Sequence, residues 1–189
     1  MLFRSNSDEY ALYKSVTGYI NEYIPQQTGQ RRSSAALTRT VLQRRLVSST
    51  CAIHESLKRR LGKQEELLRE LDGLSPVQRA KRLIALQGRL PDAEQDEDDL
   101  DDAIRDQLVD EYTAALELEQ LRSEIVALKE LADQAGRVQA NDSDSKLAAL
   151  RQCLKDAQFL ELKDGRGKLL IFTEHRDTLD YVRDHLDRW

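Results

Sequence analysis

Residues 169–172, Leu-Leu-Ile-Phe, are the one place in this 189-residue chain where four large apolar side chains follow one another without interruption. A short run that alternates with nothing marks a strand covered on both faces, as in parallel α/β sheets. The expected strand, Lys168 to Thr173, follows a tight turn at Gly165-Arg166-Gly167 and precedes a charged amphipathic helix from Asp177. A strand needs neighbours to accept and donate its backbone hydrogen bonds, yet everything upstream has helical spacing. The run therefore reads as the first strand of a sheet whose other strands lie outside these residues, and the chain as a piece of a larger protein.

Upstream, Leu12, Val16, Tyr19, Ile20 and Tyr23 recur at three- and four-residue steps and predict a helix that starts near Ser5 to Asp8 and ends at Pro25. After a polar loop, Gln26 to Arg32, Ser33 or Ser34 is the expected cap of a second helix, with a stripe of Leu37, Val41, Leu46, Ile53, Leu57, Leu61, Leu68 and Leu71. At about 38 residues it would span roughly 57 Å. Gly62 is the expected bend and Asp72-Gly73 the stop. Ser75-Pro76 opens a further helix that ends near Gly88 to Pro91. Leu118, Leu121, Ile125, Leu128 and Ala132 follow steps of 3, 4, 3 and 4, the seam of a coiled coil or antiparallel hairpin whose natural partner is the long basic helix. Gly136 and Asn141 to Ser145 are read as a break before a helix over Lys146 to Leu160. The fold class is mainly α: an elongated antiparallel helical hairpin or bundle with one C-terminal β-α unit. Residues 1–140 form its helical region, and 141–189 a second, incomplete unit.

Charge adds a constraint on packing. Residues 1–90 carry 16 Lys/Arg against 8 Asp/Glu and residues 91–189 carry 13 against 26, so the halves stand at +8 and −13. Either the basic half holds nucleic-acid phosphates or it lies against the acidic half within a hairpin. Two cysteines in helical patterns, Cys51 and Cys153, make no ligand spacing or disulfide framework, which points to a reducing compartment and a cytoplasmic location. No apolar run approaches the ~20 residues that span a bilayer, so no membrane partner is expected.

No catalytic constellation emerges, and no catalytic, cofactor-binding or metal residue is assigned. A G-x-x-x-x-G-K-[ST] phosphate loop is absent. His54-Glu55 begins a zinc-protease motif, but Lys58 stands where the second histidine belongs, and His175 and His185 are far away. The acidic run Asp92 to Asp102 lacks the pattern of a calcium loop and reads as a loop leading into a negatively charged first helical turn. Ser48-Ser49-Thr50 has no paired base and reads as a small-residue packing face.

Four segments resemble, in order, parts of the Swi/Snf-type superfamily-two helicases. Leu12-Tyr13 to Tyr19-Ile20 is similar to the L-Y-x-x-V-x-x-Y-I helix leaving the first RecA-like lobe, and Leu42-Gln43-Arg44-Arg45-Leu46 with Ser48-Ser49 to the bacterial L-Q-R-R-L-x-S-S helix. Asp144-Ser145-Lys146-Leu147 looks like the helix that opens the second lobe. Gly167 to Thr173, followed by Asp177-Thr178-Leu179-Asp180-Tyr181, looks like helicase motif IV and its helix. The middle, about Gly62 to Ala140, matches no part of the family and would be an inserted helical region. The resemblance implies a helical connector between the lobes of an ATP-dependent DNA helicase or translocase, with the remaining helicase lobes and, through them, DNA as partners. ATP and Mg would belong to the parent motor, since this chain lacks the ATPase motifs. Arg39, Arg44 and Arg45 are the expected phosphate contacts, because Val41 and Arg45 cannot both lie in the apolar seam unless Arg45 moves to its edge; motif IV adds Thr173. The competing expectation is a free-standing coiled-coil interaction module that forms a homodimer through Leu118 to Ala132.

Overall fold

The computed structural model describes residues 7–24, 31–87, 107, 109–113, 115, 117–140, 144–155 and 167–189. Their elements are α1 (Ser7–Tyr23), α2 (Arg31–Ser48), α3 (Thr50–Asp72), α4 (Pro76–Gln87), α5 (Leu118–Ala140), α6 (Ser145–Lys155) and α7 (Arg176–Leu186). Residues 26–30 of the loop expected over Gln26 to Arg32, the acidic run at 92–102 and the far end of the helix expected to reach Leu160 lie outside the described residues, while Arg31 and Arg32 belong to α2.

The centre is an antiparallel hairpin of α3 and α5. Its direction follows from the contacts: His54 Nδ1 lies 2.9 Å from Gln139 Oε1 at one end, Lys129 Nζ 2.8 Å from Glu65 Oε1 further along, and Arg122 Nη2 3.3 Å from Asp72 Oδ1 at the other. Leu121, Ile125, Leu128 and Ala132 are buried as their spacing predicts, and α3 covers them within the chain. Each fully buried leucine here contributes about 2 kcal/mol relative to exposure. Helix α1 lies across the hairpin on Leu12, Val16, Tyr19 and Ile20, and α4 folds back on the distal end, burying Leu83 with Leu67, Leu71 and Leu121. Ser75 and Gln78 form the reciprocal capping bonds of α4. Arg79 Nε donates to Leu71 O at 2.8 Å, which also accepts from Leu74 N, and Nη2 to Asp72 O at 3.1 Å, tying α4 to the last turn of α3.

The structure corrects the sequence reading in four places. The single long helix is two helices, because Ser49 is extended (φ −158°, ψ 159°) and caps α3 by accepting from Ala52 N at 3.0 Å; Gly62 lies inside α3 with open space around it. Helix α2 begins at Arg31, ahead of the expected serine caps. Gly136 lies within α5 and serves close approach, since a Cβ there would come 3.3 Å from His54 Nε2. The helical half of the C-terminal β-α unit forms as α7, but the strand does not: 168–173 has no ladder, and among the described residues there is no strand at all. Leu170 and Phe172 are 76% and 89% exposed. A helical body offers no sheet edge, so a run of strand-forming residues has nothing to pair with.

Candidate functional site

Two polar features interrupt the packing. The first is a buried layer across the waist of the hairpin, between an apolar cluster at Leu57 and Leu128 and another at Leu67 and Leu121. Arg60 is 0% and Glu124 1% exposed. Arg60 donates from Nη2 to Glu124 Oε1 at 2.6 Å, from Nε to the Tyr19 hydroxyl at 2.6 Å and from Nη1 to Val109 O at 2.7 Å. Tyr19 donates in turn to Glu124 Oε1 at 2.8 Å. Burial raises the Tyr19 phenol well above its ordinary value, with Glu124 acting in the same direction and Arg60 opposing. Gln64 extends the layer by donating to Asp110 O and Tyr112 O. Sequence reasoning passed over this layer, although a visible signal existed: Arg60 stands three residues after Leu57, and Glu124 three after Leu121, both on apolar stripes.

The second feature is a junction at the α2–α3 kink. Thr178 Oγ1, on α7, lies 2.8 Å from both Ser48 Oγ and Ser49 Oγ. Thr50 Oγ1 donates to Asp144 Oδ2 at 3.0 Å, while Asp144 Oδ1 accepts from Lys146 N and Leu147 N and so caps α6. Lys146 Nζ donates to Ser48 O at 3.2 Å, and Ser145 N to Glu9 Oε1 of α1 at 2.8 Å. Two ion pairs flank these bonds, Arg44 with Glu174 at 3.2 Å and Arg59 with Asp177 at 2.9 Å. Ser48-Ser49-Thr50 is thus a polar hub where a small-residue packing face was expected. These hydroxyls bond to one another and to a capping carboxylate, an arrangement that positions helices and activates no nucleophile. Among the described residues no group of His, Cys, Asp and Glu could hold a metal ion, and no helix is long and apolar enough to cross a membrane.

Beside the junction, a cleft of about 730 Å³ is lined by Val47, Ile171, Phe172, Leu179, Val182 and Leu186. The four residues expected to contact nucleic acid are dispersed around this region. Arg39 caps the end of α1, donating to Ile20 O, Ile24 O and Asn21 Oδ1 at 2.7–3.0 Å. Arg45 is 3% exposed, with its guanidinium donating to Ser56 Oγ, so Val41 and Arg45 are both inside and Arg45 is not displaced to the seam's edge as expected. Arg44 keeps half its side chain exposed, and Thr173 lines the cleft with it.

Cys51, next to the hub, has its thiol pushed up to about 11, first by burial and then by Glu55 and Asp177. At pH 8 its thiolate fraction is roughly a hundredfold below that of an ordinary thiol. A thiol reagent is therefore expected to label the exposed Cys153 first, with Cys51 following at a rate that climbs with pH; mass spectrometry of partially labelled protein checks the order. No family model, curated protein or solved structure matches the chain.

Proposed function

We propose that this chain is the helical connector between the lobes of a cytoplasmic, ATP-dependent DNA helicase or translocase of Swi/Snf type. One observation carries the reading: three of the four segments that resemble that family share bonds at one junction, Ser48 and Ser49 with Thr178 and Lys146 with Ser48, and Leu12 and Tyr13 of the remaining segment line a small cleft there with Ser49, Asp144 and Lys146. Among the described residues, the unmatched middle supplies the second half of α3, α4 and α5. Segments chosen by resemblance alone have no reason to share bonds across 98 to 130 residues of sequence unless the chain brings the exit of one lobe to the opening of the next. The exposed apolar run 169–172 beside α7 supports the same reading, since it is the part that would enter a sheet supplied by the second lobe. In that arrangement the kink and its hydroxyls set the angle at which the second lobe leaves the helical body. ATP, Mg and the hydrolytic residues belong to the parent motor.

Of the three arginines expected to contact phosphate, Arg44 is the one able to turn outward, because its partner Glu174 is itself half exposed. Arg44→Glu in the intact motor is expected to weaken duplex binding and to flatten its salt dependence by about one unit of slope. Unchanged affinity and slope would remove Arg44 from the interface. The connector reading itself is tested by the adjoining coding sequence, which should supply the phosphate loop upstream and the arginine motif downstream; their absence would sink it. Dimerisation through Leu118 to Ala132, the alternative, would require opening the α3–α5 hairpin that already covers this seam.

A further inference from the structure

Helix α7 is held differently from the rest of the body. The hairpin helices share continuous apolar clusters, whereas α7 buries only Thr178 and Tyr181. Its remaining large apolar residues, Leu179, Val182 and Leu186, line the open cleft, and Leu179 is half exposed. What fastens its N-terminal end is polar: Asp177 to Arg59, Glu174 to Arg44, and Thr178 to the two serine hydroxyls. The ion pairs are partly solvated, so they weaken with ionic strength, unlike apolar burial. Release would also cost the body little. Ser49 keeps its capping bond to Ala52 N, and Asp144 keeps its bonds to Thr50, Lys146 and Leu147.

We propose that α7 is a detachable latch: a helix clipped onto the α2–α3 kink by two ion pairs and a shared threonine hydroxyl, able to leave as a unit while the hairpin stays folded. The device needs no motor around it and stands apart from the connector reading. Local opening of this kind is read by amide hydrogen exchange, which resolves elements that open below the global unfolding free energy. In the whole chain, raising salt from 0.05 to 1 M, or introducing Glu174→Gln with Asp177→Asn, is expected to speed exchange of residues 180–186 roughly fivefold, the scale of two exposed pairs. Exchange across α3 and α5 should stay unchanged. The only tryptophan, Trp189, with the Arg151 guanidinium carbon 5.2 Å from its ring centroid, gives a second readout, and its fluorescence anisotropy should fall in parallel. The two substituted side chains lie on the α7 side of the contact, so the hairpin amides report directly whether the variant is folded. Salt-insensitive exchange in α7 that the double variant also leaves unmoved would overturn the latch. So would α7 and the hairpin accelerating together, which would make them one cooperative unit.

Discussion

Glu124→Ala is expected to destabilise the fold by about 3–5 kcal/mol, the cost of leaving a buried cation without its counter-charge. Arg60 is wholly enclosed, and its three guanidinium nitrogens are aimed at Glu124, Tyr19 and Val109; with the carboxylate gone, a buried cation is left without its counter-charge. In urea this would appear as a midpoint lower by about 2 M, given a slope of about 2 kcal/mol per M. Replacing both partners, Arg60→Met with Glu124→Leu, is expected to recover most of the loss, because two desolvated charges are removed together. Recovery stays partial because Val109 O loses its donor and the buried Tyr19 hydroxyl loses both its partners. A shift for Glu124→Ala of only about 0.5 kcal/mol, the scale of a surface change, would show that the layer does not hold the hairpin. The same layer gives the fold an alkaline limit. Since the folded Tyr19 phenol is held above its ordinary value of 10.0, its contribution is fully present below that pH. It is lost as pH rises from there through the folded value, because the unfolded chain releases the proton first. Tyr19→Phe should blunt this alkaline loss.

Asp144→Ala is expected to cost about 2 kcal/mol, roughly half from the lost cap and half from the buried Thr50 hydroxyl left without an acceptor. One carboxylate does both jobs, with Oδ1 on the first turn of α6 and Oδ2 on the first residue of α3. The damage should therefore be shared, with faster amide exchange at Leu147 as α6 frays and at the first turn of α3 near the kink. Asp144→Asn retains an oxygen acceptor for the cap and is expected to lose about 1 kcal/mol or less. If Asp144→Ala loosened α6 alone and left the urea midpoint in place, the bond from Thr50 would be incidental to the junction.

The seam Leu121 to Ala132, the burial of Leu12, Val16 and Ile20, and the start of α4 at Ser75-Pro76 were all legible in the sequence, because each is a local pattern with one low-energy outcome. Half of the charge argument was legible too. Arg60 with Glu124, Arg44 with Glu174 and Arg59 with Asp177 join the basic half to the acidic half, although several surface pairs, such as Arg82 with Glu70, lie within the basic half. The candidate site was harder to read. Ser49 sits in the middle of an unbroken helical pattern, and the second partner of its hydroxyl, Thr178, is 129 residues away. Arg45 looked like a surface cation because nothing local reveals that Ser56 faces it.

By itself, then, the order of residues decided that this chain is helical, which faces of its helices are apolar, and that α3 and α5 would pair, since periodicity and caps act over a few residues. Tertiary structure decided where charges could be buried and that residues 169–172 stay unpaired. Those outcomes depend on partners distant in sequence, because a buried charge or a strand is stable only where another part of the fold completes its hydrogen bonds.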